Sequence, residues 1–201
     1  MYRFDNIDAF TKSFKTDYDS VIAYHATKLN DKELKDLKTK GIRKGSKSLL
    51  YRKSIDRFLS PKDNKEIRKK IKTEIDLYFK CVKDNPKTEI NFGLDKHGLT
   101  EESYHYLLFG PETLLPLADK LKAKFDISFR KRMADFGKPY LIMVDIPLKH
   151  VDNLSVGGIF EYLVNGFPET SLVYQRQMLT TSILKISKQR QPYDRHGFLL
   201  L

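Results

Sequence analysis

Two prolines, Pro139 and Pro147, bracket the run PYLIMVDIP, and no other stretch so narrows what the chain can fold into. Apolar, aromatic and β-branched residues between two such breaks predict a strand over 139–147, the strongest in the sequence. A second strand, VIAYHAT, is expected at 21–27, followed by a helix over 30–40. Asn30 or Asp31 can cap that helix, Glu33 stands where a capping-box partner belongs, Leu34 and Leu37 share a face, and Gly41 supplies the stop.

Between and after these two strands the pattern alternates helix with strand. Residues 61–83 open with Pro61 and repeat Ile67, Ile71, Ile75 and Tyr78 at three- and four-residue spacing, which predicts a long amphipathic helix ended by Asn85, Pro86 and Gly93. YHYLLFG at 104–110 reads as strand, and ETLLPLADKLKAKF at 112–125 as helix despite Pro116. The C-terminal third predicts a short helix at GIFEYLV, a turn at NGFPE, a strand at TSLVYQRQM and a last extended piece at SILKISK. Phe4, Phe10, Phe14 and Tyr18 are expected to anchor the first 20 residues, which have no clear period. Helices in the middle and strands toward the end point to an α+β fold.

At 201 residues the chain suits one domain with a full core, residues 1–20 forming an N-terminal extension and 188–201 a tail. No apolar run approaches the ~20 residues of a membrane helix, and the N-terminus reads as mature sequence rather than a secretory signal. Cys81 is the single cysteine, which excludes an internal disulfide and a cysteine-based zinc site; a reducing cytoplasm fits best. His97, His105, His150 and His196 have no metal-ligand spacing, so no metal is expected. A net charge of +11 favours polyanions, with much of it crowded between Lys28 and Lys87, where a solvated helix surface and a binding face are equally good readings.

A core-filling strand has little use for an imidazole and a hydroxyl at its end, yet the first strand ends Tyr24, His25, Ala26, Thr27. YHAT, then LLFGPETLLPLADKL, then NGFPETSLVYQRQMLTTSILKIS, in that order, resemble the ADP-ribosyltransferase superfamily over roughly residues 21–187. The resemblance is to its His-Glu branch, the catalytic domains of poly-ADP-ribose polymerases and related toxins. The resemblance implies two small, mostly antiparallel sheets meeting at an NAD cleft, with helices 30–40 and 61–83 packed outside.

It also implies roles. Glu169 would be the carboxylate that holds a ribose hydroxyl and stabilises the oxocarbenium-like state formed as the nicotinamide–ribose bond breaks. His25 would bind a ribose hydroxyl, the backbone of Ala26 the nicotinamide carboxamide, and Thr27 the loop or the nucleotide. Tyr24 or an aromatic of the second unit such as Phe109 would stack on the nicotinamide ring, although alternation along a strand favours Phe109 and Tyr106 as core over ring clamps. Phe167 stands two residues before Glu169, where family members that modify protein side chains often carry Glu or Gln. An aromatic there suits stacking on a base, so RNA is preferred over DNA as acceptor.

Three departures are visible. The helix after the second unit lacks the branch's common Tyr, Ala26 replaces a frequent Gly, and the Arg and Ser-Thr-Ser motifs of the other branch are missing. The resemblance implies an ADP-ribosyltransferase that consumes NAD, acting as a toxin or antiviral defence effector on a nucleic acid or protein acceptor, with an acidic inhibitor protein as a possible partner. NAD glycohydrolase, RNA 2'-phosphotransferase and a non-catalytic basic binding module are the alternatives.

Overall fold

The computed structural model describes residues 7–83, 90–165, 171–174 and 180–190. Its elements run α1 (Ile7–Asp17), β1 (Ser20–Leu29), α2 (Asp31–Lys40), α3 (Lys47–Phe58), α4 (Lys65–Cys81), β2 (Ile90–Gly93), α5 (His105–Phe109), α6 (Leu115–Phe125), α7 (Phe129–Asp135), β3 (Lys138–Pro147), α8 (Asn153–Asn165), β4 (Ser171–Tyr174) and β5 (Ile183–Lys188). The fold is α+β. The described strands make one antiparallel sheet in the order β4-β2-β1-β3-β5, where two sheets were expected.

That sheet is nevertheless almost divided. β1 and β3 pair along their whole length, from Ser20↔Pro147 to Leu29↔Lys138, whereas β1 and β2 pair only at Tyr24↔Gly93. Beyond Tyr24, the edge of β1 that faces β2 carries no strand pairing among the described residues.

Alternation along β1 sends its residues to two different cores. Ala23 and Leu29 pack with Ile142, Val144 and Ile146 of β3 beneath Phe10 of α1, Leu37 of α2 and Val156 of α8. Ala26 faces the opposite way and meets Leu107 and Leu141. On that side, α3 to α7 build a separate helical core around Phe58, Ile71, Ile75, Leu117, Leu121 and Phe129, all essentially inaccessible. α4 is thus a core helix of this group rather than an outer layer. It begins at Lys65, capped by the Asn64 side chain, with Pro61 in the preceding turn.

The segment expected as a strand at 104–110 is helical. A short apolar run carries no period that separates the two states, and packing decides it. Leu107 enters the small core beside Ala26, while Leu108 and Phe109 enter the helical core. Three successive residues can reach two cores when each is turned about 100° from the last, as in a helix. Gly110 ends it at φ +78°, where a Cβ would stand 3.3 Å from Lys28 Cβ. α1, α3 and α7 had no counterpart in the sequence reading; α1 is anchored by Phe10, whose ring lies 5.1 Å from Phe14 and 5.2 Å from Phe160. Among the described residues, no helix is long and apolar enough to cross a membrane.

Candidate functional site

Where β1 leaves β2, a cavity of about 490 Å³ opens between them. His25, Ala26 and Thr27 of β1 line one wall and Ile90 to Gly93 of β2 another. A smaller cavity of about 130 Å³ adjoins it under α2, and His25, Thr27, Arg43 and Lys53 belong to both.

His25 sits at this junction. Its Nδ1 is 3.0 Å from the Asn91 carbonyl oxygen, and its ring centroid is 5.6 Å from that of Phe92. A carbonyl oxygen only accepts, so Nδ1 carries the proton, and in the neutral ring Nε2 is then an acceptor. Burial is the largest influence on the imidazole and lowers its pKa from the ordinary 6.5; the Asn91 bond works against this and the charge of Lys53 with it. A neutral histidine that accepts through Nε2 can hold a sugar hydroxyl.

The charged wall of the smaller cavity comes from α2, α3 and the connection between them. Asn30 and Glu33 form a reciprocal capping box: Glu33 N–H donates to Asn30 Oδ1 at 2.8 Å, and Asn30 N–H to Glu33 Oε2 at 3.1 Å. Arg57, buried and stacked 4.4 Å from the Phe136 ring centroid, donates through Nη2 to both Glu33 oxygens at 3.2 and 3.3 Å. Lys53 Nζ stands 3.9 Å from Glu33 Oε1, beyond hydrogen-bond length. Its pKa falls from 10.5 to about 8, mainly through burial, partly offset by Glu33 and reinforced by Arg57, Arg43 and Arg52.

Of the residues singled out in the sequence, His25, Ala26 and Thr27 meet at the cavity. Tyr24 does not line it and packs on the small core with Leu99 and Tyr106. Phe109 is also absent from the lining and is buried within the helical core; Tyr106, three residues earlier, is the aromatic of that segment that reaches the cavity. Glu169 and Phe167 lie outside the described residues. β4 begins two residues after Glu169, with Ser171 opposite Gly93, which is itself opposite Tyr24.

Sequence reasoning missed Arg43, Lys53 and Asn91, and read Tyr106 as core. The two cations were visible only as members of the run KGIRKGSKSLLYRKS, in which nothing marks which side chains turn inward. Among the described residues, no group of three His, Cys, Asp or Glu side chains is disposed to hold a metal ion. No protein-family profile, no curated protein and no solved structure matches the chain.

Proposed function

We propose that the cleft binds NAD and that the protein transfers ADP-ribose from it to a macromolecular acceptor, RNA before DNA or protein. One observation carries this reading. β1 parts from β2 immediately after Tyr24, so that a neutral histidine and an unpaired strand edge face a cavity of nucleotide-binding size. An unpaired edge presents alternate N–H and C=O groups, the pair of contacts a carboxamide needs, which supports the role given to the Ala26 backbone.

In this reaction the bond between ribose C1' and the nicotinamide nitrogen breaks, its electron pair leaving with the neutral nicotinamide. The ribosyl cation is met by an acceptor oxygen or nitrogen, which releases its proton to solvent as the new bond forms. Glu169 supplies the negative charge that lowers the barrier, and His25 holds the ribose. Tyr106 replaces Phe109 as the aromatic nearest the ring. The excess of lysine and arginine on α2 to α4 supports a polyanionic acceptor.

Incubation with NAD labelled in its adenylate, offered separately with RNA, DNA and cell protein, tests the proposal. Label on RNA is expected. Free ADP-ribose alone would make the protein a glycohydrolase, and unchanged NAD in every arm would leave only the non-catalytic binding module.

A further inference from the structure

We infer that Arg43 and Lys53 form a phosphate site at the junction of the two cavities, which takes the diphosphate of the dinucleotide and so sets the direction in which it lies. The inference rests on the NAD reading above and adds to it the residues that hold the ligand's charge.

The lining of the larger cavity is divided by sign. Among the described residues its lysine and arginine members are Arg43 and Lys53, from the α2–α3 connection and α3, and its acids are Asp95, Glu102 and Glu112, from the segment between β2 and α6. A ligand that is anionic in the middle and cationic at one end is oriented by such a division: the diphosphate goes to the cations and the nicotinamide ring toward Tyr106 and Glu112. Like-signed alternatives in either position repel.

Both cations have donors to give. Glu33 already takes two bonds from Arg57 and one from the Asn30 backbone, and leaves Lys53 Nζ 3.9 Å away. Arg43 spends Nη2 on Asp36 at 3.1 Å, and Asp36 is shared with Lys40. A guanidinium carries five donors in a fork that matches phosphate oxygens, and an ammonium carries three. Gly45 and Leu49 bring the first turn of α3, capped by Ser46, against the same cavity, and its dipole has the same sign as the two side chains.

Lys53 also makes the site readable by pH. Around it stand the acids Glu33, Asp36 and Asp56, the cations Lys32, Arg43, Arg52 and Arg57, and the neutral His25. Lys53, with its pKa near 8, loses its charge within the alkaline range, and His25, whose pKa burial lowers, is neutral throughout it.

The probe is ADP-ribose, whose diphosphate keeps its two negative charges unchanged across this range, titrated calorimetrically against the full chain at low salt from about pH 7 to pH 9.5. Wild-type affinity is expected to fall about tenfold or more as pH rises, because the site loses a cation. Lys53→Met should bind about tenfold more weakly at pH 7 and show no such fall. Lys53→Arg, charged throughout, should hold its affinity to the top of the range, which a merely structural lysine would not produce. Arg43→Gln should weaken binding at every pH.

Folded Lys53→Met and Arg43→Gln proteins that bind ADP-ribose like wild type would overturn the inference, as would a wild type that does not bind it. Lys53-dependent ADP-ribose binding without consumption of NAD keeps the phosphate site and removes the transferase. NAD turnover whose KM ignores both substitutions does the reverse. An RNA oligonucleotide ending in a 2'-phosphate that depends on Lys53 when ADP-ribose does not would overturn the diphosphate assignment.

Discussion

His25 on β1 donates through Nδ1 to the Asn91 carbonyl oxygen of β2 at 3.0 Å, just past the one position where these strands pair. The side chain thus spans the opening between the strands and turns its second nitrogen into an acceptor. His25→Ala should impair both KM and kcat for NAD, since it removes a ribose contact without touching the proposed carboxylate; normal kinetics would return His25 to a structural role. NMR titration should place the imidazole pKa below 6.5. The unfolded chain then binds the extra proton, so this group's contribution to stability is present above about pH 6.5 and is lost as pH falls through the folded value. His25→Ala should abolish that part of the acid dependence.

Glu169→Gln should leave the thermal melt unchanged and lower NAD consumption by about 100-fold or more. The amide keeps the shape and one acceptor but not the charge that meets the developing cation. Undiminished turnover in a folded variant would remove Glu169 from the chemistry.

RNA labelling should weaken steeply with salt, with a log-log slope of about 0.7 per neutralised phosphate on a single strand. Phe167→Ala should reduce it further, since a stacked base contributes about 1–3 kcal/mol. Labelling that is flat in salt and indifferent to Phe167→Ala would turn attention to a protein acceptor.

Glu33→Ala should destabilise the fold by about 3 kcal/mol in urea titrations. It removes the carboxylate half of the α2 capping box, which accepts from the Asn30 N–H, and strands Arg57, 4% exposed, without its carboxylate. Pairing it with Arg57→Met should recover most of the loss, because the methionine stem fills the space over Phe136 and needs no counter-charge.

Gly137→Ala should lower stability by about 2 kcal/mol or more. Gly137 turns from α7 into β3 at φ +72°, and a Cβ there would lie 2.5 Å from the Leu29 carbonyl oxygen, a backbone atom that cannot swing aside. Since Leu29 ends β1, calorimetric destabilisation should be accompanied by weaker ADP-ribose binding.

What the sequence alone determined was local. The Asn30–Glu33 box, the Gly41 stop, the strand at β3 between its prolines and the isoleucine stripe of α4 depend on neighbours within a few residues, so their residue types sufficed. The strand carrying His25 and Thr27 was legible on the same terms, but it runs on to Leu29 instead of ending at Thr27. Tertiary structure decided the rest. Whether 104–110 was helix or strand depended on two cores that Leu107, Leu108 and Phe109 had to reach at once, and that choice put Tyr106 rather than Phe109 at the cavity. Arg43 and Lys53 lie ten positions apart, on a connection and a helix, and only the packing of α3 beside β1 turns both toward His25. The near-division of the sheet is likewise a matter of pairing between strands 60 residues apart, with closure energies and register that no local pattern carries.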